Sequence, residues 1–125
     1  MNQFIYKNTV ILKSHFDFSQ FKSEQSFEGE VSQSTAVTVP KDVDTHKTVF
    51  CTIELSFGKQ DDPVNFSIQA RSFFEIDGDI NMDTLKTDMK ELCYPTAASE
   101  LSEKIANLSR LHIGINLNIP IPEKL

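Results

Sequence analysis

The sequence contains no tryptophan, only two cysteines, four glycines and five prolines in 125 residues, and fewer cations than anions. Each shortage closes off a class of protein. The four glycines are unclustered, so there is no glycine-rich phosphate loop and no Gly-x-Ser-x-Gly elbow to carry a nucleophilic serine. Cys51 and Cys93 are too few for a disulfide scaffold, and neither they nor His15, His46 and His112 have the local spacing of a zinc site. They read as buried free thiols, with no metal and no cofactor expected. Twelve Lys plus Arg against 18 Asp plus Glu give a net charge of -6, which argues against nucleic acid as the main partner and disfavours an anionic membrane surface. No apolar run comes near the ~20 residues of a membrane span, Val10-Ile11-Leu12 being among the longest. Residues 1–8 lack a basic start, a sustained apolar stretch and a small-residue cleavage site, so they read as no signal peptide and point to the cytoplasm.

What remains is 39% hydrophobic and 24% charged, the mix of one soluble domain over residues 1–125. Periodicity organises it. Alternation of apolar and polar residues places one set of side chains on one face of a strand, and four segments alternate. Residues 8–18 put Val10, Leu12, Phe16 and Phe18 on one parity; residues 27–39 do so with Phe27, Val31, Val37 and Val39. Residues 47–58 align Val49, Cys51, Ile53, Leu55 and Phe57, and residues 64–76 align Val64, Phe66, Ile68, Ala70, Phe74 and Ile76. The polar, proline-closed residues 59–63 suit a hairpin between the last two, and an antiparallel sheet with one buried face follows.

Beyond Gly78 the period lengthens. Met82, Leu85, Met89 and Leu92 predict a short helix capped by Asp79 or Asn81. Pro95 and Thr96 predict a fresh start, with Ala98, Leu101, Ile105 and Leu108 striping a second helix over 96–110. Residues 111–125 then read as extended, with Pro120 and Pro122 keeping them out of a sheet interior. The expected fold class is α+β: a four-stranded antiparallel sheet with a short and a long C-terminal helix packed on one face.

Two local features stand out. Asp77-x-Asp79-x-Asn81-x-Asp83 spaces oxygen ligands as a calcium loop does, but Met82 stands where that loop needs glycine and Asp88 where it needs a bidentate glutamate. An acidic turn that complements a helix N-terminus accounts for the same residues. The second feature is aromatic: of ten phenylalanines, Phe50 and Phe73 fall on the parity opposite their strands' core residues. Such rings pack under a second layer, in a subunit interface or in a groove for apolar peptide, and Phe50, Phe73, Phe21 and Phe27 are the candidates for groove or interface.

The second half of the chain resembles the SecB-type protein-export chaperones. The resemblance rests on Phe73-Phe74-Glu75-Ile76-Asp77-Gly78, then Leu92-Cys93-Tyr94-Pro95-Thr96-Ala97-Ala98-Ser99-Glu100-Leu101-Ser102, then Leu117-Asn118-Ile119-Pro120-Ile121. In that family a strand ends in a Phe-x-Ile-x-Gly turn, a Leu-Phe-Pro-Tyr-Ala-Arg-Glu type run opens the long helix, and a Leu-x-Leu-x-Pro segment closes. By carry-over Phe74, Ile76 and Gly78 form the turn, Leu92, Tyr94, Pro95 and Ala97 the helix start, and Leu117 with Pro120 the tail. No arginine aligns with the family's, and the chain stops short of the family's last helix.

The resemblance implies a homodimer or homotetramer whose apolar grooves hold unfolded polypeptide without ATP. The expected function is therefore a SecB-like holdase and not an enzyme, with non-native polypeptide as client. The alternative is a module or chaperone dedicated to one partner such as an antitoxin.

Overall fold

The computed structural model describes residues 1–18, 30–59, 61–62, 64–114, 117, 119 and 121–122. Four strands form one antiparallel sheet: β1 (Gln3–Asp17), β2 (Val31–Thr38), β3 (Thr48–Phe57) and β4 (Asn65–Asp77), in the order β1-β4-β3-β2. A short helix α1 (Val43–His46) joins β2 to β3, and a long helix α2 (Leu85–Ile113) packs against all four strands on one face.

The central strands behave as their alternation predicts. Val49, Cys51, Ile53, Leu55 and Phe57 of β3 are buried, as are Phe66, Ile68, Ala70, Phe74 and Ile76 of β4. The register sets Val49 opposite Phe74, Leu55 opposite Ile68 and Phe57 opposite Phe66. Each fully buried aliphatic or aromatic side chain contributes roughly 1.5–3 kcal/mol. At one end of this face Phe57, Phe66 and Phe16 stack in series, with centroids 5.6 and 5.3 Å apart, and His112 of α2 stacks on Phe16 at 5.7 Å. Gly58 ends β3 at φ +75, where glycine escapes the penalty other residues meet. Beyond it the Asp62 carboxylate accepts the Lys59 N–H at 2.7 Å, and Asp62 N–H donates to the Lys59 carbonyl.

The two edge strands depart from expectation. β1 begins at Gln3, before residue 8, and two register shifts interrupt it, between Tyr6 and Asn8 and between Ile11 and Lys13. Each shift inserts one unpaired residue, Lys7 and Leu12, and so exchanges the faces of everything that follows. Val10 and Leu12 consequently do not share the buried face with Phe16; they are exposed, while Phe4, Tyr6, Phe16 and Phe18 pack against the core. In β2 Val31 is exposed rather than buried, and Gln33, whose amide donates to the Tyr94 hydroxyl at 2.8 Å, occupies a core-side position.

The largest difference lies in the helices. Beyond Gly78 two helices were expected, and among the described residues there a single one, α2, runs with Pro95 in its interior. An interior proline forfeits a backbone hydrogen bond and costs about 3 kcal/mol relative to alanine. Burial on both sides of it outweighs that loss: Leu85, Met89, Cys93 and Tyr94 before it and Ala97, Ala98, Leu101 and Ile105 after it enter the same core. Pro95 itself faces solvent, so Pro95 and Thr96 do not start a helix. Met82 precedes the helix, and Met82 and Leu92 are exposed instead of forming its stripe. The N-cap is Thr84, not Asp79 or Asn81, and residues 111–113, expected to be extended, are its last turn, ending at Gly114 with φ +77. Past it, Leu117 and Ile119 return to the core, and the Leu117 N–H donates 2.8 Å to the buried Ser109 hydroxyl.

Candidate polypeptide-binding surface

The face of the sheet opposite α2 is covered by none of the described elements. It carries the polar residues of β3 and β4 and, in their midst, both out-of-parity rings. Phe50 and Phe73 are directly opposite one another in the β3–β4 register, half-buried, with centroids 5.7 Å apart. Tilted rings at this distance attract beyond the area they bury. The Arg71 guanidinium lies over Phe50, 4.4 Å from its centroid, and Arg71 Nε donates to Thr52 Oγ1 at 3.1 Å. On the other side Phe73 pairs with Asn8 and Arg71 with Val10 of the edge strand. Two exposed ion pairs flank the cluster, Lys7 with Glu75 at 3.0 Å and Lys13 with Glu54 at 3.7 Å.

β1 borders this surface, and its outer edge pairs with no strand among the described residues. Ile5, Val10, Ile11 and Leu12 are exposed there, Leu12 by 43%. Unpaired strand backbone lined with apolar side chains is a template for another strand. At the start of the same strand a cavity of about 370 Å³ opens between Met1, Asn2, Gln3, Phe4, Tyr6, Phe74, Leu92 and Thr96. The alternation over residues 8–18 does not reach Phe4 and Tyr6; their own period-two spacing is the available signal, and the bulge at Lys7 cuts it short.

The remaining candidates are distributed elsewhere. Phe21, Phe27 and Pro120 lie outside the described residues. Phe74, Ile76, Tyr94, Ala97 and Leu117 are core residues, Gly78 turns at φ +83, and Leu92 and Pro95 face outward from α2.

The acidic run is organised by hydrogen bonds. Asn81 N–H donates to Asn2 Oδ1, Asp83 N–H donates to Asn81 Oδ1, and Thr84 Oγ1 donates to Asp88. The backbone N–H of Asn2 foremost, with its side chain and Thr84, holds the Asp88 carboxyl below the usual carboxylate range against desolvation. Among the described residues no three His, Cys, Asp or Glu side chains converge as metal ligands. Cys51 and Cys93 are buried free thiols; burial pushes Cys51 up to about 11 and, with Cys51 nearby, Cys93 up to about 12. The thiolate, the nucleophilic form, is therefore scarce at both at neutral pH. No helix among the described residues is long and apolar enough to cross a membrane.

Among solved structures, the architecture matches the Mycobacterium tuberculosis SecB-like chaperone Rv1957, solved with a ChAD peptide from the HigA1 antitoxin. The TM-score is 0.69 over 95% of this chain and 90% of that one, at 16% sequence identity. The fold is SecB-like. A protein of unknown function from Streptococcus agalactiae also superimposes, with a TM-score of 0.55 over 97% of this chain and 99% of that one, at 10% identity. No protein-family model and no curated protein matches the sequence. Identity this low carries the architecture alone.

Proposed function

We propose that this SecB-like protein is an ATP-independent chaperone that holds non-native polypeptide, rather than an enzyme, and that it acts as a homodimer or homotetramer in the cytoplasm. The observation that carries the reading is the Phe50–Phe73 pair, two half-buried rings in contact on a sheet face that no described element covers. Leaving a large aromatic side chain wet forgoes a good part of the roughly 1.5–3 kcal/mol its burial yields, so the surface gains by covering apolar segments of another chain. A client's apolar side chains would rest on the rings while its backbone pairs with the free edge of β1. The cavity beside Phe4 and Tyr6 has room for one large side chain. The exposed apolar edge of β1 equally suits pairing with a second copy. Ordering a disordered client costs chain entropy, which keeps affinity per residue modest and release spontaneous.

The test is suppression of aggregation of a chemically unfolded model protein. Near-stoichiometric protein is expected to suppress light scattering, and Phe50→Ser and Phe73→Ser are expected to lose protection while keeping the wild-type circular dichroism and melting. Protection that survives both substitutions removes these rings from the binding surface; no protection by the wild type removes the general holdase.

One observation favours a dedicated version of the same activity. The similar Mycobacterium tuberculosis chaperone holds a peptide from an antitoxin. A pulldown recovering one protein rather than many would support a dedicated partner here.

A further inference from the structure

The open face of the sheet is not electrically uniform. The lysines beside the aromatic pair already have carboxylate partners, Lys7 in Glu75 and Lys13 in Glu54. Arg71, lying between these pairs and against the rings, makes no ion pair with any described residue. Its Nε is taken by Thr52 and the flat face of its guanidinium by Phe50. The terminal N–H donors lie in the guanidinium plane, so stacking on Phe50 leaves them free to receive a carboxylate through two parallel hydrogen bonds. The stacking and the Thr52 bond also hold the group in place before any ligand arrives, which reduces the entropy lost on pairing.

We propose that the Phe50–Phe73 surface selects an acidic-apolar polypeptide segment, one whose carboxylate pairs with Arg71 while a neighbouring apolar side chain rests on the two rings. The proposal rests on the reading of this face as a polypeptide-binding surface and specifies the chemistry of its occupant. The selection runs against the chain's own background: a net charge of -6 repels acidic segments and attracts basic ones at long range. A preference for acidic ligands therefore has to come from a local cation, and among the described residues Arg71 is positioned against the apolar floor. Partial burial beside two aromatic rings makes such a pair worth more than a rim contact, which contributes little.

The experiment uses the full chain and three fluorescein-labelled peptides that share the same Leu-Phe pairs and differ only in having Glu, Gln or Lys beside them. Fluorescence anisotropy is expected to give the Glu peptide about fivefold tighter binding than the Gln peptide, and the Lys peptide weaker binding than either. Arg71→Gln is expected to erase the Glu preference, so that the Glu and Gln peptides bind that variant equally, and Arg71→Lys to restore part of it. Circular dichroism and melting of both variants confirm an intact sheet. A Glu preference that persists in Arg71→Gln, or equal binding of Glu and Gln peptides by the wild type, overturns the selection while leaving polypeptide binding in place. Gln-peptide binding unaffected by Phe73→Ser, or no binding of any peptide, overturns the underlying surface and the selection with it.

Discussion

Asn2 donates both its backbone N–H and its side-chain amide to the same carboxylate oxygen of Asp88, at 2.9 Å each, across 86 residues of sequence. Because Asn2 also bonds the backbone of Asn81 through its amide N–H and its Oδ1, this pair ties the start of β1 to the turn that launches α2. Asn2 also lines the cavity bordered by Phe4, Tyr6 and Leu92.

That clasp makes stability depend on acid. Asp88 is held below the ordinary carboxylate value, mainly by the Asn2 backbone N–H, so the unfolded chain takes up a proton first as pH falls. The stabilisation is complete above the unfolded value of about 3.9 and is lost as pH falls through the folded value. Urea unfolding of wild type and Asp88→Asn is expected to differ most at neutral pH and to converge in strong acid. A constant difference across that range would place the contact's contribution elsewhere than in the charge.

Gly58 turns β3 towards β4 at φ +75, and a Cβ there would stand 2.5 Å from the Val64 carbonyl oxygen. Backbone oxygen cannot swing aside as a side chain can. Gly58→Ala is expected to destabilise by about 2 kcal/mol or more in denaturant unfolding, combining left-handed strain with the collision. A loss well below that would show the hairpin relaxing around the methyl group.

Pro95 is exposed in the interior of α2 and has no N–H to offer the carbonyl one turn earlier. Pro95→Ala is expected to raise the melting temperature, with a gain of about 1–3 kcal/mol. An unchanged or lowered melting point would mean that the helix geometry proline imposes is used by the Tyr94 and Ala97 contacts beside it.

The apolar edge of β1 carries the expectation of self-association. Leu12→Lys places a charge on a bulge residue that is already exposed, a substitution edges tolerate and pairing strands do not. Light scattering is expected to give a dimeric or tetrameric mass for the wild type and the 14.2 kDa monomer for the variant. A monomeric wild type would overturn the oligomer, and a variant of unchanged mass would move the interface off this edge.

Fold and site were legible to different degrees. β3 and β4 could be read residue by residue because each is flanked by strands on both sides and buries one face along its whole length, so alternation runs unbroken from Val49 to Phe57 and from Phe66 to Ile76. At the margins that rule fails: β1 uses two bulges to switch faces, and a side chain's face there depends on pairing with β4 rather than on its own parity. Phe50 and Phe73 were legible as misfits, whereas the Arg71 guanidinium over Phe50 was not.

The sequence alone determined the class of fold, the central strands, the apolar stripe of the helix after Pro95 and the two aromatics that face away from the core, because each follows from local periodicity and the burial of apolar surface. Only tertiary structure decided that α2 passes through Pro95 unbroken, that the two rings touch, that Arg71 lies over one of them, and that Asn2 clasps Asp88. Those outcomes compare a local cost with contacts made by distant parts of the chain, and no local pattern contains both sides of that comparison.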